Sequence, residues 1–181
     1  MGIQNISDAD IQYAKEKNFK IKLVPTARKI STKQVVTYVL PKFVKADDFL
    51  YNVENEYNGV TVQAAFADKQ FFFGKGAGGH PTGAAVLSDI TALRYDYRYE
   101  YKKYQQKNGL IHTDKVSIEV YLRYVHEYTV EKLQVENISE RFSRNNYKYV
   151  IGSISLKNLI EHRDLLLNKD VFIAQTGKLS Y

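Results

Sequence analysis

Alternating apolar and polar residues predict two β-hairpins in the first half of the chain. Strands are predicted over residues 19–27 and 34–40, and the polar run between them joins them into an antiparallel pair. Pro41 is expected to end the second of these strands, because proline has no N–H to donate to a sheet. A second hairpin is predicted from strands over residues 59–66 and 70–73.

Two helices are predicted before the second hairpin. The first begins at Ser7, whose hydroxyl can cap the following turn, while Asp8 and Asp10 put negative charge at the positive end of the helix. Asn18 can close this helix, because asparagine tolerates a left-handed backbone. A short second helix is predicted over residues 46–51.

The second half of the chain is predicted to alternate strands with helices. Strands are predicted over residues 95–104, 116–125, 147–154 and 171–175, and helices over residues 129–143 and 156–167. The strand at 116–125 has an apolar or aromatic residue at every second position, which gives it one face for a core. A helix is the alternative for residues 95–104, and Asn108-Gly109 marks a boundary after them.

A glycine-rich segment lies between the strand predicted at residues 70–73 and a further predicted helix. It contains four glycines within six residues: Gly74, Gly76, Gly78 and Gly79. Pro81 follows where the first turn of a helix accepts a missing N–H. Glycines let a ligand approach the backbone closely, and a helix N-terminus offers unpaired donors and a partial positive charge. The pattern therefore predicts a loop that is able to bind an anion.

The same glycines partly satisfy the dinucleotide fingerprint G-x-G-x-x-G, at Gly74, Gly76 and Gly79. A Rossmann unit also needs a buried strand with an acidic residue about 20 residues further on. Residues 95–101 are instead a polar alternation of tyrosines and charges. The pattern leaves open both anion binding and a tight turn with close helix packing.

Two ordered segments of the chain resemble homoserine dehydrogenases. Residues 57–60, Tyr-Asn-Gly-Val, resemble the family's Asn-small-Val strand, and residues 76–90 resemble its motif G-x-G-A-G-x-x-P-T-x-x-A-V-x-x-D-I from the third position onwards. Residues 2–14 and 21–23 resemble the helix and strand that precede these motifs. The resemblance implies that residues 1–93 are the C-terminal half of the family's substrate domain.

The family transfers hydride between a nicotinamide and C4 of homoserine or aspartate 4-semialdehyde, in threonine and methionine biosynthesis. The resemblance implies NAD(P) as cofactor of the complete enzyme, with cofactor-binding positions at Gly76, Gly78, Gly79 and Thr82. The family's Rossmann domain and its catalytic Asp and Lys, in an L-x-G-x-D-x-x-x-K segment, do not occur in this sequence. No catalytic residue is therefore assigned, and this chain alone is expected to be inactive and not to bind the cofactor tightly.

The resemblance also implies partners. The family forms homodimers through the substrate-domain sheet, so a homodimer is expected, and its last substrate-domain helix packs against the nucleotide-binding domain. The corresponding face here carries Val86, Ile90 and Leu93 at helical spacing. Without a nucleotide-binding domain, this face is expected to be exposed or covered by another copy of the chain.

Residues 115–181 resemble a shortened ACT domain, which some homoserine dehydrogenases carry at the C-terminus. Effector-binding ACT domains usually have an acidic residue and Pro-Gly at the turn into the first helix, where this chain reads Val-His-Glu-Tyr-Thr at 125–129. With residues 94–114 as a connection, the predicted fold class is α+β. It combines a mixed or antiparallel sheet with helices on one face and a small ACT-like, ferredoxin-like α/β sandwich. A stand-alone amino-acid-sensing module is the alternative function.

Composition narrows the possible chemistry. The sequence contains no cysteine, so thiol catalysis, disulfides and Cys-ligated zinc are excluded. Its net charge of +6 comes from scattered Lys and Arg, so no nucleic-acid partner is expected, with an RNA-binding module as a third possibility. There is no basic-then-apolar leader and no apolar run long enough to cross a bilayer, so no membrane partner and a cytoplasmic location are expected.

The histidines do not form a recognisable metal pattern. His80, His112, His126 and His162 are too far apart for H-x-x-x-H or H-E-x-x-H, so no metal site is predicted. His80 is the one beside the glycine loop, and imidazole can donate a proton near neutral pH. The alternative is an ordinary loop histidine, and His80 is not assigned a catalytic role.

Overall fold

Contacts divide the computed structural model into two units, and the structure describes residues 2–97, 109–144 and 147–181, without the side chain of Lys178. The sheet unit comprises Met1–Lys45 with Gly109–Tyr181, and the loop unit comprises Ala46–Asn108. The sequence predicts different boundaries, with a substrate-domain half at residues 1–93, a connection at 94–114 and an ACT-like domain at 115–181. This division stays a prediction.

Helices and strands succeed one another along both units. In chain order they are α1 (Asp8–Glu16), β1 (Phe19–Lys29), β2 (Gln34–Lys45), β3 (Tyr57–Gln63), β4 (Lys69–Lys75), α2 (Gly79–Arg94), β5 (Ile111–His112), β6 (Ser117–Tyr124), α3 (Tyr128–Lys132), β7 (Glu136–Arg144), β8 (Tyr147–Ser155), α4 (Leu156–Glu161) and β9 (Phe172–Ser180). Short 3-10 turns lie at Phe49–Asn52 and Leu165–Leu167. Among the described residues, no helix is both long and apolar enough to cross a membrane.

The first helix begins at Ser7, as predicted. The backbone N–H of Asp10 donates to the Ser7 hydroxyl, and Asp10 Oδ2 accepts from the Ser7 N–H at 2.9 Å, which is a reciprocal capping box. Asn18, just beyond the end of the helix, has a φ of 55°. This left-handed residue turns the chain directly into β1.

The first two strands form the predicted antiparallel pair, with Phe19 opposite Lys45 and Lys29 opposite Val35. The prediction that Pro41 ends the second strand was wrong, because β2 continues through Pro41 to Lys45. Proline removes one donor, but its fixed φ is compatible with an extended backbone. The flanking residues keep their register with β1.

The sheet unit contains one seven-stranded sheet. The strand order is β1-β2-β9-β6-β8-β7, and β5 pairs with β2. The β2–β5 and β2–β9 pairs are parallel, and the other pairs are antiparallel. The sheet is mixed and mostly antiparallel, as predicted, and the separate ACT-like sandwich stays a prediction.

A cluster of buried side chains lies on each side of this sheet at β6. Its residues Ile118, Val120, Leu122 and Tyr124 face a core shared with α3 and α4. On the other face, Tyr121 packs with Tyr13 of α1 and with Phe172 of β9. Helices were predicted on one face, but α1 covers the face opposite α3 and α4, since alternate side chains of a strand point to opposite sides.

The predicted helix over residues 129–143 was wrong. The helix α3 ends at Lys132 and β7 follows, because Gln134 and Asn137 have φ values of 50° and 49°, which a helix does not accommodate. The strand then pairs with β8 from Arg144 to Glu136. The apolar residues of this segment belong to a short helix and then to a strand, not to one long helix.

Three further predictions in the second half differ in extent. The helix predicted over residues 156–167 is α4 followed by a 3-10 turn, and the last strand extends to Ser180. The strand predicted over residues 95–104 does not begin at Tyr95, which caps the end of α2, and Asp96 has a φ of 52°. Residues 98–104 lie outside the described part of the chain.

The loop unit contains the predicted second hairpin. Strands β3 and β4 are antiparallel, with Tyr57 opposite Lys75 and Gln63 opposite Lys69. The helix predicted over residues 46–51 is a 3-10 turn at Phe49–Asn52, capped by the side chain of Asp48. The hairpin leads through the glycine-rich loop into α2.

Candidate functional site

The glycine-rich loop connects the end of β4 to the start of α2, as the sequence predicts. Gly76 donates its N–H to the Glu56 carbonyl at 2.9 Å, which fixes the start of the loop beside the residue preceding β3. A Cβ at this position would collide with the side-chain amide of Asn58. A side chain at 76 would therefore displace the exposed side chain of Asn58.

Gly78 is the residue before the first turn of α2. Its φ is 112°, a left-handed conformation that residues with a Cβ rarely adopt. No side chain caps the helix at this position. Among the described residues, the N–H groups of Gly79 and His80 have no hydrogen-bond partner. Two donors are thus available at the positive end of a 16-residue helix.

Thr82 supports the first turn of α2 from within. Its hydroxyl and its N–H both donate to the Gly78 carbonyl, at 2.9 and 3.2 Å. The carbonyl of Gly78 is thereby satisfied, and the Thr82 oxygen retains lone pairs that can accept a further hydrogen bond. The role of Thr82 visible in the structure is to hold the loop conformation.

An open hollow of about 610 Å³ lies against this loop, within the size range of small-molecule sites. Its lining consists of Glu56, Lys75, Ala77, Gly78, Gly79, His80, Pro81 and Ala84. The structure thus brings Gly78 and Gly79 of the predicted site to one hollow. Gly76 and Thr82 are adjacent in the chain but do not line it. The assignment of all four to cofactor binding stays a prediction.

Sequence patterns did not identify the ion pair at the edge of the hollow. Lys75 Nζ lies 3.1 Å from Glu56 Oε1. The pKa of Glu56 is held below its usual value, chiefly by a hydrogen bond from its own backbone and then by Lys75. The two residues are opposite ends of one hairpin, so only the strand register reveals that they meet. Lys75 therefore contributes a cation that is already paired.

The face of α2 that carries the apolar residues is uncovered. Val86, Leu87, Ile90 and Leu93 are between 54% and 69% exposed, and no residue of the helix is buried by the described part of the chain. Phe72 and Phe73 of β4 are exposed as well. Both α2 and β4 therefore expose large apolar side chains in the described part of the chain.

Metal ligands are not grouped in the described residues. No three His, Asp or Glu side chains lie close enough to hold an ion there. His80 lines the hollow, and the other three histidines do not.

Comparison with known proteins identifies sequence relatives of this chain. A family model described as homoserine dehydrogenase matches residues 1–91 of 181. A homoserine dehydrogenase of Corynebacterium glutamicum is 37% identical over 93 residues, which cover 49% of this chain and 21% of that protein. That of Neisseria gonorrhoeae is 30% identical over 132 residues, covering 67% and 30%. The chain therefore spans less than a third of the length of these curated relatives.

Solved structures extend the similarity of fold to nearly the whole chain. A homoserine dehydrogenase from Thiobacillus denitrificans superposes with a TM-score of 0.69 at 18% identity, over 98% of this chain and 47% of that one. One from Staphylococcus aureus gives a TM-score of 0.56 at 25% identity, over 98% and 46%. The C-terminal half thus shares a fold with these structures.

Proposed function

This chain belongs to the homoserine dehydrogenase family, and we propose that it is the C-terminal portion of an enzyme that interconverts L-homoserine and L-aspartate 4-semialdehyde with NAD(P). The proposal is carried by the match of the family model to residues 1–91, which include the glycine loop and most of α2. The family generally uses a nicotinamide cofactor, which accepts or donates the hydride when bound. The enzyme would serve threonine and methionine biosynthesis.

The loop geometry fits an anionic part of such a cofactor. Gly78 and Gly79 expose backbone to the hollow, and a Cβ on Gly79 would meet no described atom within 4 Å. The unpartnered N–H groups of Gly79 and His80 would donate to phosphate oxygens, which favour the positive end of a helix. Gly76 and Thr82 would act indirectly, by fixing the path of the loop.

This chain alone is proposed to lack catalytic activity. The family's Asp and Lys motif does not occur in its sequence. The ionisable side chains at the hollow are Glu56, Lys75 and His80, and the first two neutralise each other in an ion pair. Tight binding of the cofactor would similarly require the nucleotide-binding domain of the complete enzyme.

Partners are proposed for the exposed apolar surface. The α2 face with Val86, Ile90 and Leu93 would pack against the nucleotide-binding domain, which would remove these side chains from water. A homodimer through the substrate-domain sheet is also proposed. The support for both is the family membership together with the uncovered apolar side chains.

A second candidate function concerns the C-terminal half. The order β6-α3-β7-β8-α4-β9, with spatial order β9-β6-β8-β7 and antiparallel pairing, is the split βαβ topology of ferredoxin-like folds. This observation favours an ACT-like module over residues 115–181, and with it the alternative of amino-acid sensing. The sequence at 125–129 still lacks the Pro-Gly of effector-binding ACT domains.

The proposal is tested by joining this chain to the N-terminal portion of the Corynebacterium glutamicum relative, in place of the matching segment. Homoserine-dependent reduction of NAD and NADP is followed by nicotinamide absorbance, for the chimera and for the 181-residue chain alone. Turnover by the chimera and none by the chain is expected. A folded, dimeric chimera without turnover would contradict the proposal, and turnover by the chain alone would contradict the proposed inactivity.

A variant pair links the activity to the loop. Gly78→Ala should lower turnover by the chimera, because its φ of 112° strains any side chain and displaces the adjacent N–H groups. Gly83→Ala is the matched control, because a Cβ there meets no described atom within 4 Å. Equal activity of the two variants would remove the loop from the proposed site.

A further inference from the structure

The side-chain amide of Asn58 lies against the glycine loop at Gly76. The three heavy atoms nearest to a Cβ built on Gly76 would be Nδ2, Cγ and Oδ1 of Asn58. The amide therefore occupies the place that a side chain at residue 76 would take. Asn58 is exposed, and its side chain has no hydrogen-bond partner in the described part of the chain. Packing rather than hydrogen bonding thus relates it to the loop.

The backbone of Gly76 would tolerate a side chain. Among the described glycines only Gly78 has a positive φ, so Gly76 lies outside the left-handed region that favours glycine. The obstacle to a side chain at residue 76 is the Asn58 amide and not backbone strain. Residues 58 and 76 are thus complementary, because the first supplies the volume that the second leaves empty.

Contacts on several sides hold the point where the loop leaves β4. The N–H of Gly76 donates to the Glu56 carbonyl at 2.9 Å, and the Lys75 ammonium pairs with the Glu56 carboxylate at 3.1 Å. Lys75 lies opposite Tyr57 in the hairpin, and successive residues of a strand point to opposite faces. Asn58 therefore contacts the loop from the face opposite Lys75.

The position of Gly76 determines where the backbone donors of the loop lie. Gly76 comes two residues before Gly78, whose φ of 112° directs the chain into α2. The N–H groups of Gly79 and His80 follow directly, so a displacement of Gly76 would displace them as well. Asn58 does not line the hollow, and its effect there would pass through the loop.

We propose that Asn58 is a positioning residue for the site at the glycine loop, an inference that rests on the proposed dehydrogenase function. Its amide keeps Gly76 against the hairpin, and thereby keeps the N–H groups of Gly79 and His80 directed at the anionic part of the cofactor. Without the amide the loop moves, so the cofactor binds more weakly while the chemical step is unchanged. The signature of this role is a raised KM for the cofactor with kcat retained.

Amide hydrogen exchange in the 181-residue chain tests the contact without requiring activity. The reporter is the N–H of Thr82, which donates to the Gly78 carbonyl at 3.2 Å. Asn58→Ala and Gly76→Ala should each accelerate its exchange about fivefold, because each disturbs the same packing contact. In the double variant the methyl group at residue 76 takes the vacated place, so exchange should return to within about twofold of the parent chain.

Kinetics of the chimera with the Corynebacterium glutamicum portion test the positioning role. Asn58→Ala should raise KM for NAD or NADP about fivefold and change kcat by less than about twofold, and the double variant with Gly76→Ala should restore KM. Gln70→Ala is the matched control and should leave both constants unchanged. Gln70 is another exposed amide side chain on the same face of the hairpin, at its opposite end.

Independent residues would give a different result in both measurements. Effects of Asn58→Ala and Gly76→Ala that multiply to about 25-fold in the double variant would overturn the proposal. A fall in kcat without a change in KM, or an equal effect of Gln70→Ala, would overturn it as well. A parent chimera without turnover would instead contradict the proposed dehydrogenase function, and exchange in the chain alone would still decide whether Asn58 holds the loop.

Discussion

Arg123 Nε lies 2.9 Å from Asp10 Oδ2, and this ion pair fastens helix α1 to the centre of the sheet. The Asp10 side chain is fully buried, and its other oxygen accepts a hydrogen bond of 2.8 Å from the Tyr121 hydroxyl. The guanidinium of Arg123 also donates to the Asn5 carbonyl at 2.7 Å. These hydrogen bonds compensate for the cost of burying both charges. Removal of either charge would leave the other buried without its partner, which is strongly destabilising.

We expect Asp10→Asn to lower the free energy of unfolding by about 3–5 kcal/mol, because it leaves the Arg123 charge buried and unpaired. Urea unfolding followed by circular dichroism measures this change. Asp8→Asn is the control, since Asp8 is exposed in the same helical turn and should cost only about 0.3–1 kcal/mol through the helix dipole. Similar losses in the two variants would mean that the buried pair contributes little.

The tyrosines packed around α1 should make stability fall at alkaline pH. The pKa of Tyr13 is about 12 in the folded chain against an ordinary value of 10.0, so between these values the unfolded chain releases a proton that the folded chain retains. The contribution of Tyr13 to the free energy of unfolding is therefore fully present below pH 10. It is lost as pH rises towards 12, which lowers the free energy of unfolding by about 2 kcal/mol. Burial raises the pKa of Tyr147 and Tyr149 in the same direction.

Tyr13→Phe should flatten this decline, because phenylalanine has no proton to release. The measurement is the urea midpoint at pH 9 and at pH 11, for the parent chain and the variant. Tyr181→Phe is the control, since Tyr181 is 71% exposed. A decline that is the same in both variants would count against burial of Tyr13 as its cause.

Local signals in the sequence were sufficient for much of the fold. Ser7 and Asp10 specify the start of α1 through side chains three residues apart, and the alternation at 116–125 specifies β6. The segment at 129–143 misled because Val130 and Leu133 continue a helical spacing that the left-handed Gln134 interrupts. Glutamine rarely adopts this conformation, so the residue type does not predict that the helix ends here.

The candidate sites divide in the same way. The glycines of the loop are contiguous in sequence, and their conformations follow from the absence of a Cβ at Gly76 and Gly78. The Glu56–Lys75 pair depends on strand register, just as the Asp10–Arg123 pair depends on the approach of a helix to a strand more than a hundred residues away. These are tertiary contacts between residues far apart in the chain, and the periodicity of apolar residues does not predict them.

Gly76 should be sensitive to substitution because the loop passes close to the hairpin. Gly76→Ala places a methyl group against the exposed Asn58 side chain, which must shift, so we expect a cost of about 1 kcal/mol, the lower end for overpacking. We expect faster hydrogen exchange of the β3 and β4 amides in this variant. Gly83→Ala should leave this exchange unchanged, because the added methyl group meets no described atom within 4 Å. Unaltered exchange in Gly76→Ala would show that the loop relaxes without cost.

Substitutions on the apolar face of α2 should have little effect on the stability of the isolated chain. Ile90 is 58% exposed, so Ile90→Lys should change the free energy of unfolding by less than about 0.5 kcal/mol, the usual range for surface substitutions. Leu122→Ala, in the fully buried core of the sheet unit, should cost about 2–5 kcal/mol in the same urea titration. In the chimera, by contrast, Ile90→Lys should reduce turnover and raise protease sensitivity. The substitution there places a charge against the domain that covers this face. A chimera that tolerates Ile90→Lys fully would mean that no domain covers this face.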